Sequence, residues 1–242
     1  MIKISPTHRL ILVHTICHLM LIPMIMFGTW QMFLAGFIWY QWIAITAITT
    51  GYHRYASHNS FKTGKWYEYY FCILGLFANA GPVLTWASAH RMHHFFSDTE
   101  KDPHSPKHMS ALKVYFGFWG ESLSIIPRSL RMLANNKIYM FFYNHYFTLQ
   151  LTVAVVMLLI NPYLFLFGFC FPVVLAMHGF GLVNWFTHRK DGVQNSAVAN
   201  ILTGGEGWHK NHHEKPRNWK LGKTVWQLDP GAWVIQLIKT SS

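Results

Sequence analysis

The sequence predicts an all-α integral membrane chain: four transmembrane helices in two hairpins, a cytoplasmic helical cap, and interfacial amphipathic helices that carry clusters of histidine. Three observations predict it. Of the 242 residues, 52% are hydrophobic and only 12% are charged, too apolar a balance for an ordinary water-soluble domain of this length. Residues 10–53 and 138–188 contain no Asp, Glu, Lys or Arg. The 16 histidines concentrate just beyond these two stretches instead of scattering through the chain.

A hydrocarbon core takes about 20 apolar residues per helix, so each charge-free stretch has room for a helical hairpin. Turn signals at Gly28-Thr29-Trp30-Gln31 and Asn161-Pro162 divide them, which gives helices at 10–27, 32–50, 141–160 and 163–183. Every Lys and Arg then falls in the first nine residues, in the segment 51–140 or in the tail 184–242. The positive-inside rule places all three on the cytoplasmic side. Lys3 and Arg9 ahead of an apolar run also fit a secretory signal peptide, but no small-residue cleavage site follows and a second apolar helix does. Residues 66–84 hold a shorter apolar run, 71–77, flanked by Glu68 and Gly81-Pro82. It reads as an interfacial or shallow re-entrant helix, because a crossing there would put the histidines before and after it in different compartments.

No Gly/Ser linker, low-complexity tract or long-period repeat interrupts the chain, so it is read as a single domain, 1–242. Cys17, Cys72 and Cys170 lie in apolar stretches without a CxxC pair and read as small buried residues. The net charge of +11 suits nucleic acid, an anionic membrane surface or an acidic head group. Since topology already accounts for where the basic residues lie, nucleic acid is set aside.

Nine histidines carry the chemistry. His53 and His58 form HRYASH at the exit of the second helix; His90, His93 and His94 form HRMHH; His209, His212 and His213 form HKNHH; His188 follows the fourth helix. Nine imidazoles on one membrane face imply metal. Residues three and four apart on a helix share a face, so each H-x-x-H-H offers three imidazoles to one small volume. His53 and His58 are about 140° apart on an ideal helix, so they point the same way only if the helix end unwinds; otherwise they serve different metals. Nine ligands exceed what one ion accepts, but divide over two ions with an open position on each. Imidazole suits Zn, Cu, Fe and Ni, and the lack of thiolates argues against a closed structural zinc site. The residue types alone do not choose iron.

Asp98, Asp102, Glu206 and Glu214 are candidates for orienting ligand imidazoles by accepting their other N–H, with surface ion pairing the alternative for Glu214. His104 reads as a structural hydrogen-bonding residue. His14, His18, His145 and His178 fall inside the spans, and intramembrane histidines raise a haem protein or a metal transporter as a competing class. Against transport, the dense clusters lie outside the apolar spans, whereas transport sites sit near the midplane.

HRYASH, HRMHHFFSDTEKDPHSP, LVNWFTH and GEGWHKNHHEKP occur in that order. With these motifs the chain resembles the membrane fatty acid desaturases over nearly its whole length, in the branch that includes the stearoyl-CoA type and bacterial Δ9 enzymes. The resemblance implies a pair of iron ions on the nine histidines, Asn184 near one iron through water, and O2 as co-substrate in forming a cis double bond. Trp185-Phe186-Thr187 depart from the small residues common there, which bears on the substrate path and removes no ligand. By alignment with the family, Phe37 and Gln41 are candidates for the closed end of an acyl tunnel, with helix packing as the alternative. A sister hydroxylase or ketolase reaction uses the same ligands. The implied partners are acyl-CoA, acyl-lipid or acyl-carrier protein as substrate and ferredoxin or cytochrome b5 as electron donor. A basic face that includes Lys210, Lys215, Arg217, Lys220 and Lys223 suits an acidic carrier or phosphate groups. The short chain is read as bacterial or viral, with the cytoplasmic membrane as its location.

Overall fold

Each spanning helix forms where a charge-free stretch predicts one, and most run further toward the histidine-bearing side than their apolar stretch requires. The structure, a computed structural model, describes residues 5–116, 132–189 and 191–240; Lys3 and part of the expected cap, 117–131, lie outside them. The first span, Pro6–Phe27, joins α1 (Pro6–Leu19) to α2 (Leu21–Phe27). Ser5 caps it by accepting from His8 N, and Pro6 fills the first turn, where a missing N–H costs nothing. The second span is α3 (Trp30–Ile43) continued without a break by a π-helix, Ala44–Ser57. The polar residues after Thr50 stay helical because they are packed: Tyr52, His53, Arg54 and Ser57 are all buried.

Next comes a bent pair, α4 (Trp66–Leu74) with a 3-10 turn (Gly75–Ala78), then α5 (Val83–Phe96), turned by 83° at the break. Its apex is held to the spans by polar side chains. Gln150 donates to the Leu76 carbonyl at 2.8 Å, Tyr146 to the Gly75 carbonyl at 3.2 Å, and Asn79 donates to the Leu10 carbonyl at 3.0 Å. Backbone groups without water must be satisfied in this way. Counting the pair as one crossing would separate the histidines on either side of it, yet those histidines touch, so the pair enters and returns on one side. After α6 (Ala111–Phe116), which packs on the fourth span, come α7 (Lys137–Ile160) and the fourth span, Pro162–Thr187. The latter is built from α8 (Pro162–Phe165), a π segment (Leu166–Cys170) and α9 (Phe171–Thr187). Asn136 and Asn161 cap these helices with their side chains.

The tail adds a two-residue antiparallel hairpin, β1 (His188–Arg189) with β2 (Gly192–Val193), then α10 (Ala197–Thr203), α11 (His209–Glu214) and α12 (Pro230–Ile238). Outward-facing Leu12, Ile16, Leu34, Ile38, Trp42, Leu151 and Leu159 are exposed, as expected of a surface solvated by lipid tails. The core lies between the second span, α4 and α5, around Ile43, Ala47, Tyr52, Phe71 and Ala87. The chain is therefore an all-α integral membrane protein with four helices long and apolar enough to cross a bilayer.

Candidate metal centre

The widened helix at the end of the second span answers the question left by the HRYASH spacing. In a π-helix residue i+5 bonds back to residue i, and the His58 amide donates to the His53 carbonyl at 3.2 Å. That register brings the two rings to a centroid separation of 4.9 Å, so both serve the same cluster. On α5, His90 and His94 share a face and their Nε2 atoms lie 3.1 Å apart, while His93 points to the neighbouring cluster. On α11 the roles reverse: His209 and His213 are the pair, 3.1 Å apart at Nε2, and His212 is the outlier. Each H-x-x-H-H thus splits two and one, where the spacing suggested three imidazoles in one volume.

The result is a five-histidine cluster, His53, His58, His90, His94 and His212, beside a four-histidine cluster, His93, His188, His209 and His213. Nε2 to Nε2 contacts in the first include His58 to His90 at 2.7 Å, His94 to His212 at 2.8 Å and His53 to His212 at 2.9 Å. In the second, His188 meets His209 at 3.0 Å and His93 meets His213 at 3.2 Å. Within each cluster all donor atoms lie within 4.8 Å of one another. Metal to imidazole bonds of about 2.1 Å place neighbouring donors about 3 Å apart and opposed ones about 4.2 Å apart, so both sets are dimensioned for one ion.

Carboxylates decide which ring nitrogen faces inward. His53 Nδ1 lies 2.5 Å from Glu206, His93 Nδ1 is 3.0 Å from Asp102 and His188 Nδ1 is 3.2 Å from Asp98. At His93 and His188 the carboxylate accepts the Nδ1–H, and at His53 the adjacent Glu206 favours a proton on Nδ1; each leaves a lone pair at Nε2 directed into the cluster. Burial, followed by repulsion from neighbouring imidazoles, holds His90, His93, His209 and His212 well below the ordinary histidine range. The same causes push His58 down to about 2 and His213 to about 3. Neutral imidazole is the form that ligates, and the residues present fit a pair of such ions.

Of the other expected residues, Asp98, Asp102 and Glu206 lie against histidines of the clusters, whereas Glu214 is exposed and pairs with Lys223 at 2.5 Å, the surface alternative. His104 stacks on His93 at 4.2 Å, and its amide donates to Asp102 at 3.1 Å. Asn184 lines a cavity with Trp86, Phe180, His90 and His209, which therefore borders both clusters. Gln41 donates to the Ile201 carbonyl at 3.0 Å and Phe37 packs against the core. Lys210, Lys215, Arg217, Lys220 and Lys223 are exposed. His14, His18 and His178 gather away from the clusters, and His145 is exposed beside Phe141.

The sequence did not single out the residues that tie the motifs together. Arg54 is fully buried, pairs with Asp229 at 2.8 Å and donates to the Trp219 carbonyl at 2.8 Å and the Gly205 carbonyl at 3.4 Å. It thereby fixes the turn that presents Glu206 to His53. Asp229 also accepts from Leu221 N at 2.7 Å and caps α12 through Ala232 N at 3.0 Å. Arg91 donates to the carbonyls of Ser57 and Ala56 at 2.8 and 2.9 Å, which binds HRMHH to HRYASH. Asn211 donates to the Leu221 carbonyl at 2.8 Å and anchors HKNHH to the tail. Asp229-Pro230 was a legible helix-start signal; its ion-pair partner was not.

Four spanning helices and two adjacent all-histidine clusters define an integral membrane protein able to hold metal at its rim. The sequence pattern of the fatty acid desaturase family matches residues 28–232. The chain belongs to the fatty acid desaturase family, an oxidoreductase that desaturates fatty acyl chains. It is 31% identical to an sn-1 stearoyl-lipid 9-desaturase of Synechocystis sp., covering 94% of this chain and 76% of that protein. It is 32% identical to an sn-2 palmitoyl-lipid 9-desaturase of Nostoc sp., covering 80% and 73%. To an acyl-CoA C20 Delta5-desaturase of Anemone leveillei it is 31% identical, covering 87% and 72%.

Proposed function

We propose that this chain uses two iron ions and O2 to place a cis double bond at the Δ9 position of a saturated acyl chain. The observation that carries this reading is the juxtaposition of a five-histidine and a four-histidine cluster, each dimensioned for one ion. His53, His58, His90, His94 and His212 would hold one iron, and His93, His188, His209 and His213 the other, with Asn184 near one of them through water. Balanced, the reaction joins a –CH2–CH2– unit, O2, two electrons and two protons to give –CH=CH– and two waters. Bound iron would supply the oxidising power for removing hydrogen from an unactivated methylene.

The chain's own contribution is positioning. Glu206, Asp98 and Asp102 hold imidazole rings in the ligating tautomer, and Arg54 and Arg91 lock the segments that carry them. The apolar cavity walls, Trp86, Phe180 and Val183, exclude water and orient the methylenes beside the centre. Δ9 selectivity rests on the relatives named as 9-desaturases. The relatives divide between lipid-linked and CoA-linked substrates, so saturated acyl chains in either form are the substrate class. An acidic carrier, ferredoxin or cytochrome b5, would deliver electrons over the basic face of the tail. The active site then faces the cytoplasm, in a bacterial cytoplasmic membrane.

The test is expression in a host that makes no unsaturated lipid, with double-bond positions mapped by mass spectrometry. A new Δ9 monounsaturated acid is expected, together with a loss of more than about hundredfold for His90→Ala. A product that gains oxygen would assign the hydroxylase reaction instead, and equal product from both strains would overturn the role of His90.

A further inference from the structure

The rim-side tail contains a segment that makes its contacts below the rim. Residues 192–205 carry no Asp, Glu, Lys or Arg, and within them α10 presents Val198 and Ile201 outward, 60% and 68% exposed. That is as open as Ile38 of the second span at 59%, and one turn on Trp42 continues the same lipid-facing line. The two surfaces are continuous, because Gln41 next to Trp42 donates to the Ile201 carbonyl at 3.0 Å. Tyr40 donates to the Leu202 carbonyl at 2.6 Å.

Depth follows from the helix rise. Tyr40 and Gln41 stand ten and eleven residues after Trp30, about 15 to 17 Å along the axis from the far edge of the membrane. The Tyr40 hydroxyl reaches from there toward the rim, to lie against Gly179 late in the fourth span. The end of α10 also meets Ile45 and Thr49, about 22 to 28 Å from that edge, so in a hydrocarbon core about 30 Å thick it lies within the rim-side half.

The backbone of α10 is finished as a lipid environment demands. A helix leaves its last four carbonyls without intrahelical partners, and at a water-exposed end water takes them. Here every one has a protein donor. Asn200 O accepts from Gly205 N at 3.1 Å, Ile201 O from Gln41, Leu202 O from Tyr40, and Thr203 O from Thr49 Oγ1 at 3.2 Å. Gly204 (φ 65°) and Gly205 (φ 134°) then turn the chain back. At Gly204 a side chain would collide with Ile45. The entry limb is tied to the rim, where Asn195 donates to Asn211 at 3.1 Å.

We propose that α10 is a re-entrant element immersed in the leaflet on the histidine side, with Val198 and Ile201 in contact with the acyl chains of membrane lipids. The segment enters at Asn195, reaches its greatest depth at Ile201 and Leu202, and returns at Gly205 directly into Glu206, which borders the cavity. This placement is independent of which reaction the metal centre performs.

Nitroxide labels at Ile201→Cys and Val198→Cys in the full chain, reconstituted in phosphatidylcholine and phosphatidylglycerol vesicles, test it by collision with oxygen and with a water-soluble nickel chelate. Leu34→Cys serves as the lipid-facing reference and Lys215→Cys as the aqueous one; the unsubstituted protein reports labelling of Cys17, Cys72 and Cys170, which are buried. Both α10 labels are expected to match the oxygen-to-nickel ratio of Leu34. A ratio matching that of Lys215 at either site would overturn the placement, whatever the enzyme's activity.

Discussion

Histidines of the rim and histidines of the membrane interior meet at the same distances and are built for different purposes. His18 and His178 touch Nε2 to Nε2 at 3.1 Å, inside the 2.7 to 3.2 Å range of the rim contacts. In the interior, His18 donates its Nδ1–H to the His14 carbonyl at 2.6 Å, so its Nε2 carries a lone pair and one N–H from His178 completes a hydrogen bond. At the rim, carboxylates take the Nδ1–H of His93 and His188 and Glu206 lies against Nδ1 of His53, and the lone pairs of the inward nitrogens converge in sets of five and four. Each ring has at most one proton to share, and too few point inward. What separates a metal site from a hydrogen bond is an excess of converging lone pairs, which proximity alone does not reveal.

The contrast can be broken at several points. The largest effect on the folded chain is expected from Asp229→Asn, which strands the buried Arg54 charge. Leaving such a charge unpaired costs about 3 to 5 kcal/mol, to be read from thermal unfolding in detergent. Asp102→Asn replaces the carboxylate that orients His93 with a neutral amide, a weaker acceptor that can also present its NH2. Metal affinity should fall about 10- to 100-fold in a chelator competition, while unfolding of the metal-free protein changes much less.

Acid should act on the rim next. Folding holds His58 near 2 and His213 near 3, against about 6.5 in the unfolded chain, so below about pH 6.5 the unfolded state binds protons that the folded state refuses. Stability of the metal-free protein is therefore full above that pH and declines as pH falls toward the folded values. A Tm series between pH 7.5 and 5 would contradict this if it stayed flat or rose on acidification. The smallest effect belongs to the interior: His18→Ala should cost about 0.6 kcal/mol, the typical value of an interhelical hydrogen bond in a membrane, with metal content and product yield unchanged.

The spans were legible because the absence of charge over long stretches is a property of each stretch alone. Their rim ends were not: the apolar run stops near Thr50, but packing of Tyr52, His53 and Arg54 carries the helix to Ser57. The nine histidines were legible from motif spacing. Their division between two clusters was not, since it depends on how α5 and α11 face one another. A bond between Arg54 and Asp229, or between Gln41 and Ile201, links residues remote in the chain and has no local signature. Glu214 shows the converse case, a carboxylate beside a ligand motif that points into solvent.

The most direct test of the account is the metal content of the purified protein, with iron, zinc and copper quantified per polypeptide and the iron examined by Mössbauer spectroscopy. Two irons per chain with the spectrum of a coupled pair is the expected result. A single ion, or zinc in place of iron with desaturation intact, would contradict it.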